Sequence, residues 1–384
     1  MALWRALRKV GDWAATSPKE REALFQFERK REAYERLGAA CAAAPELVEA
    51  FGTFAELIRA PAGMEAARLA AACSQVHAWA EERSLIQLGM VFAEGAALAD
   101  PECPAKANDA GRMCRRAAED QRASSWYHRG HGLGVRRQDD TEIIRALIGY
   151  GNLMKDLGKH DEARKFLEGA TRRAANTGRR RQAGEAQHDL LTVAAEVGTL
   201  ESGMRHVRKA LDLYPLRHPA LPALIHDWAF LLVRLRFYTR AIPLLEMVLP
   251  RICLPEFRTV VWSTLARAVA GAGIQQRFGE IEQVLKPLIQ EHAEYAPAAL
   301  VNLAEGSRCF GRWDEADGYA RSAIELAHVR NDRGVGRVAS ELSGQVAARA
   351  LPFGESEPAN PDRLNALSLR LTSRLRLWKA PGER

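Results

Sequence analysis

Residues 147–170 read LIGYGNLMKDLGKHDEARKFLEGA, and this stretch writes two short helices joined by a tight turn. Leu147, Tyr150, Gly151 and Met154 fall at the i, i+3, i+4, i+7 spacing that puts side chains on one helical face. Gly158 ends that helix, because glycine accepts the left-handed backbone of a helix C-terminus without a Cβ penalty. A second helix begins near Asp161, with Ala163, Leu167 and Ala170 as its apolar stripe. Small residues at Gly151 and Ala163 let the two helix axes approach closely.

The same residues fit the pattern W-x2-L-G-x2-Y followed by A-x3-F, here Leu147-x2-Tyr150-Gly151-x2-Met154 and Ala163-x3-Leu167. The stretch resembles a tetratricopeptide repeat, and copies recur. With Gly151 as anchor, the equivalents are His77, Gly111, Leu191, Ala229, Ala266 and Ala304. A second anchor follows each by twelve residues: Gly89, Ala123, Ala163, Gly203, Ala241, Phe278 and Ala316. Phe278 is the exception in size, so local packing there is expected to differ. The spacing runs from about 34 to 40 residues, longer than the standard repeat, and is similar to the longer-period repeats of bacterial sensors. The resemblance implies an all-α, right-handed superhelical solenoid of about seven helix pairs. Residues 1–63 are expected as an N-terminal helical module, 64–333 as the repeat array and 334–384 as a C-terminal capping helix pair. Leu364, Leu367, Leu371 and Leu375 supply the cap with one apolar face, because the end of a repeat array must not expose an unpaired apolar side.

In the first module Leu3, Leu7, Val10 and Ala14 share a face, with Trp4, Arg5, Arg8 and Lys9 beside it. A membrane-surface helix has such a face, but the short length and Asp12 favour an N-terminal helix packed on the first repeat. Ser17 and Pro18 read as the N-cap and first position of a long helix. Pro45, Pro61 and Gly63 mark the next turns.

The chain has 384 residues, 47% hydrophobic and 27% charged, a balance that suits a folded protein and argues against disorder. No apolar run approaches the ~20 residues needed to span a bilayer, and the start lacks the apolar core and cleavage site of a secretory signal. The expected location is therefore the cytoplasm, without membrane insertion. Cys41, Cys73, Cys103, Cys114, Cys253 and Cys309 stand singly, without the paired spacing of a zinc module, and fit a reducing compartment. The net charge of +7 is spread along the chain; it permits an acidic partner and does not point to nucleic acid.

In this family's superhelix the first helices line the concave surface. One position beyond the buried stripe turns by ~100°, and read down the chain that neighbouring stripe gives the candidate partner-binding residues. They are Asn108, Arg112 and Arg115, then Asn152 and Lys155, then His188 and Thr192, then His226 and Phe230, and finally Arg267, Glu305 and Arg308. Such a groove is basic at its N-terminal end, aromatic and apolar in the middle and mixed in charge at its far end. An extended peptide or protein segment with acidic and apolar features suits it, and an asparagine amide can grip a peptide backbone through its donor and acceptor. The family's carboxylate-clamping members use Lys, Arg and Asn on this face, but their complete motif is not reproduced here.

His188 with Asp189 and His226 with Asp227 recur at one register of consecutive repeats, a ligand set a metal could use. Neighbouring helical residues diverge by ~100°, so each Asp is expected to face elsewhere, capping a neighbour or pairing with an arginine. Gly130, Gly132 and Gly134 imitate a phosphate loop but follow a helix rather than a strand and lack the lysine-serine ending. They read as close-packing residues or as a weak point in the helix. Arg179, Arg180 and Arg181 could meet phosphates, but an exposed inter-repeat turn is the favoured account. No catalytic pairing and no cofactor motif emerges. The sequence therefore points to a non-enzymatic scaffold or peptide sensor holding a partner in a groove. The alternative is a regulatory protein of transcription or signalling whose repeats sense a peptide or protein ligand. A homo-oligomer is compatible with either reading.

Overall fold

The computed structural model describes residues 10–24, 27–252, 254–352 and 354–378. The expected N-terminal face at Leu3 and Leu7, with Trp4, Arg5, Arg8 and Lys9, lies outside them, as does Cys253. Among the described residues there is no strand, and no helix is long and apolar enough to cross a membrane. The chain forms two compact units, residues 1–149 and 150–384, with the boundary inside one helix.

The first unit holds α1 (Phe27–Ala43), α2 (Val48–Arg59), α3 (Ala66–Glu82), α4 (Ile86–Ala99), α5 (Pro104–Arg116) and α6 (Asp120–Arg137). Helix α7 (Asp140–Asp156) carries the boundary. The second unit continues with α8 (His160–Asn176), α9 (Arg180–Val197), α10 (Leu200–Leu213), α11 (Leu221–Arg234) and α12 (Tyr238–Val248). It ends with α13 (Pro255–Gly271), α14 (Gln275–Glu291), α15 (Ala296–Cys309), α16 (Trp313–Val329), α17 (Arg333–Ala347) and α18 (Pro361–Arg376). Consecutive helices pack as pairs in the expected register. Gly158 adopts φ +74° at the turn after α7, and Gly178 and Gly198 repeat that conformation after α8 and α9.

The anchors explain the close packing. Ala123, Ala163, Ala241 and Ala316 are fully buried. A Cβ added to Gly151 would stand within 3.0 Å of Leu167, so that leucine of α8 is the neighbour for which Gly151 makes room. Phe278 breaks the small-residue rule and is also fully buried. Its ring occupies the space above Gly306 in α15, where a Cβ would collide with it. The bulk missing from one helix is thus supplied by the next, and the total volume of the contact is kept.

In the first unit the described part of the N-terminal helix is packed, as its favoured reading required. Val10 and Trp13 are buried with Leu47, Phe51, Phe54 and Leu69, and the Trp13 indole donates to the Pro61 carbonyl at 2.7 Å. The long helix does not begin at Pro18, however. Ser17 Oγ donates to the Glu20 carboxylate instead of capping a helix. Arg21 lies over the Trp13 ring at 3.7 Å and donates to the Trp13 and Thr16 carbonyls. These bonds hold a single 3₁₀ turn, Arg21–Leu24, before α1 starts at Phe27.

The two helices described beyond residue 332 take two separate places. Helix α17 buries Ala339, Leu342 and Val346 with Leu300, Ala304, Ala316 and Ala320 of α15 and α16. Helix α18 buries its four leucines in the core of the middle repeats, with residues of α10, α11 and α12.

Candidate functional site

The first helices of the second unit are α9, α11, α13, α15 and α17, and their facing sides meet across each repeat boundary. Counted from the anchor, the residue at −3 on one first helix bonds the residue at −2 on the next. His188 Nε2 meets Asp227 at 2.9 Å, His226 Nε2 meets Thr264 Oγ1 at 3.1 Å, and Asn302 donates to Ser263 Oγ at 3.1 Å. These partners lie 39, 38 and 39 residues apart, one repeat each time. A polar ladder therefore welds consecutive repeats beneath the first-helix face. Buried polar groups must find partners or carry a desolvation cost of ~1–3 kcal/mol, and here the repeat geometry supplies them.

Asp227 is the centre of the ladder. A carboxylate only accepts, so His188 Nε2–H and His226 Nδ1–H, both at 2.9 Å, donate to its two oxygens. Burial alone would raise the Asp227 carboxyl, but the bonds from both imidazoles outweigh it and hold the group well below the ordinary carboxylate range. For His188, burial favours the neutral ring; the bond and charge of Asp227 outweigh that and raise it above its ordinary value. Its other nitrogen reaches the Tyr214 hydroxyl at 3.1 Å, and Tyr214 stacks on His218 with centroids 3.8 Å apart. Burial, with Arg181 adding to it, lowers His218 to about 4. The expectation that each Asp turns away, to a cap or an arginine, is corrected. Asp227 sits between two histidines, and Asp189 accepts from Asn152 at 2.8 Å. Two adjacent helical residues do diverge, but a neighbouring first helix offers a partner to each.

The other candidate residues of this unit also have protein partners. Lys155 stands 3.7 Å from Asp156, and Thr192 donates to the Asp189 carbonyl of its own helix. Phe230 is partly buried and stacks on His226. Glu305 receives Arg267 at 3.4 Å and Arg308, and the buried Arg308 also donates to Gln345 at 2.7 Å and to the Ala350 carbonyl. In the first unit Asn108 is buried and donates to both the carbonyl and the carboxylate of Glu142, at 2.9 and 2.8 Å. Arg112 pairs with Glu81, which Arg116 also reaches at 3.1 Å. Arg145 joins Asp109 and Glu142, and Arg115 lies half-buried one turn beyond Arg112. The basic end expected there is thus largely offset by Glu81, Asp109 and Glu142, which a reading of one stripe alone does not count.

Two of the three glycines of α6, Gly130 and Gly134, have packing roles. Gly130 lets Asn108 approach, Gly134 faces Ile143, and the helix runs unbroken from Asp120 to Arg137. Among the described residues no cluster of His, Cys, Asp and Glu could hold a metal ion.

The open part of the first-helix face lies one position further round. A cavity of about 350 Å³ in the second unit is lined by Glu196, Arg234, Glu305, Arg337 and Glu341, with His160 and Leu342 among its other walls. Glu196 and Arg234 both stand five residues beyond an anchor, one residue past the stripe read from the sequence, and Arg337 and Glu341 lie on α17 beyond the last anchor, so only Glu305 was anticipated. Arg234 donates to the Glu196 carbonyl at 3.2 Å, so its charge meets no carboxylate in that bond. Arg337 pairs with Glu341 at 3.0 Å on an exposed side of α17. Carboxylates and guanidinium groups share one concavity, a lining that can hold a segment carrying charges of both signs.

No family model and no curated protein matches the chain. Among solved structures, the Rap conjugation gene regulator of the plasmid pLS20, in complex with the Phr* peptide, is similar over 92% of this chain and 98% of its own. The two are 12% identical, with a TM-score of 0.51. BtubC from P. vanneervenii matches 58% of this chain and 90% of its own at 15% identity and a TM-score of 0.42. A Rap protein complexed with competence and sporulation factor matches 90% and 99% at 8% identity and a TM-score of 0.40.

Proposed function

We propose that this chain, a tetratricopeptide-type α-solenoid by fold, is a non-enzymatic scaffold or sensor that holds an extended peptide or protein segment on the first-helix face of its second unit. The observation that carries the reading is the cavity walled by Glu196, Arg234, Glu305, Arg337 and Glu341. Its volume lies at the lower end of ligand pockets, enough for a few side chains, with the rest of a segment lying along the first helices. Arg234 and Arg337 answer the acidic feature expected of the partner, and Val338 and Leu342 its apolar one. Glu196 and Glu341 favour a basic group close to that acid. The Rap regulator that shares the fold was solved with a peptide, which supports this class of ligand.

Fluorescence anisotropy against a library of short labelled peptides tests the reading. Peptides bearing an acid, a base and an apolar residue within a few positions are expected to bind. The pair Arg234→Glu and Arg337→Glu should weaken them by about tenfold or more, ~1.4 kcal/mol, while the thermal midpoint stays put. A library without binders, or a double variant that binds as tightly as the parent, overturns the proposal.

A further inference from the structure

We infer that the opposite face of the second unit, built from the second helices α10 and α12 with α11 beneath them, is a docking groove for an amphipathic helix. Its occupant in this chain is α18, and its occupant in trans is the same segment of a second copy. Leu364, Leu367, Leu371 and Leu375 recur at helical spacing and are each at most 3% exposed. They share a core with Leu211, Tyr214, Leu221, Trp228 and Leu245. Trp378 closes the end, its indole donating to the His218 carbonyl at 2.9 Å, and the Trp228 indole points to Ser368 Oγ at 3.3 Å.

The rim matches the helix in charge. Arg370 meets Asp212, Arg363 reaches Glu201 at 3.4 Å, and Arg374 donates to the Tyr214 carbonyl at 2.6 Å. On the far side Arg240 donates to Asn365 at 2.5 Å. The groove thus selects a helix with leucines on one face and arginines on its flanks, and this chain's own terminus supplies one.

Every one of these contacts joins residues more than a hundred positions apart. Among its described residues, the connection from α17 to α18 contains neither helix nor strand. It is tied at the near side, where Ser356 N–H donates to the Arg236 carbonyl and Glu355 accepts from Thr239. Once the bonds at Glu355 and Ser356 release, the thirteen residues 348–360 reach at most ~45 Å when extended, which lets α18 leave its own groove and enter that of a neighbouring copy. Contacts in cis and in trans are identical, and only concentration decides between them: a tether acts like a millimolar local concentration. Exchange of one element between identical chains yields a closed, symmetric dimer. The inference is independent of what the first-helix face binds.

The test uses the full chain, unfolded in guanidinium chloride and refolded at ~1 μM and at ~500 μM, with mass read by light scattering after size exclusion. Monomer is expected at the lower concentration and at least about a tenfold larger dimer fraction at the higher one, approaching the tether's effective concentration. Leu371→Asp should abolish that dimer. No dimer at either concentration, or an equally abundant dimer in the Leu371→Asp chain, overturns the inference. Should that variant fail to fold, amide exchange in the unmodified chain decides. Exchange requires α18 to open on its own, so its amides should exchange about tenfold or more faster than those of α12. Equal protection would mean that the groove is never vacated.

Discussion

Replacing Asp227 by Asn probes the ladder at its centre. The carboxylate accepts two imidazole N–H bonds at 2.9 Å, and a bond to a charged group contributes ~1.5–3 kcal/mol. Asparagine keeps one acceptor and turns an N–H₂ group towards the other ring, so one bond is lost and the second becomes neutral. The Asp227 side chain retains 24% exposure, which lets water soften the loss, and the expected cost is ~2–4 kcal/mol. For a unit of this size each kcal/mol lowers the midpoint by ~2–4 °C, so a drop of about 4–16 °C should appear at pH 6 by calorimetry. The difference between parent and variant should depend on pH. His188 is raised in the fold, so its contribution is complete below the unfolded value of ~6.5 and fades as the pH rises through the folded value. Asp227 is lowered, so its contribution is present above ~3.9 and fades as the pH falls through its folded value. The gap is therefore widest between about pH 4 and 6.5 and narrows towards pH 9. His206 and His218, both lowered to about 4, work the other way on acidification, but both chains carry them and they largely cancel in the difference. A midpoint within 1 °C of the parent at pH 6, or a gap that does not change with pH, would refute the assignment of Asp227 as the shared acceptor.

Gly306→Ala should cost ~1–3 kcal/mol in chemical denaturation, because the new methyl meets the fully buried Phe278 ring. Adding Phe278→Leu should recover part of that loss, whereas additive losses would place the two residues out of contact. Ala163→Leu should also cost ~1–3 kcal/mol, since the site is fully buried within α8, and an unchanged midpoint would contradict the register of the repeats. Arg312→Ala should cost ~1–2 kcal/mol by leaving Glu282, buried and shared with Tyr319, without its guanidinium partner. Arg337→Ala, on an exposed side of α17, should stay within ~0.5 kcal/mol and serves as the control.

The local features were legible in the sequence because they are properties of single helices and turns. The 3.6-residue period of Leu147, Tyr150, Gly151 and Met154, the stop at Gly158 and the paired anchors need no distant partner to be recognised. Helices near 334–350 and 361–378 were legible for the same reason. Which residues line an open surface was not, because a rotation of one position decides it. The stripe read at His188, His226 and Arg308 turns into the joints between repeats, and the cavity opens beside Glu196 and Arg234. Nor could the sequence say that Asp227 would stand between two histidines, since its second partner arrives from a helix 39 residues earlier. The destination of α18 was hidden most completely. Its leucine face predicts burial somewhere, but apolar burial is non-directional, and only the packed arrangement of α10, α11 and α12 selects where that face is covered.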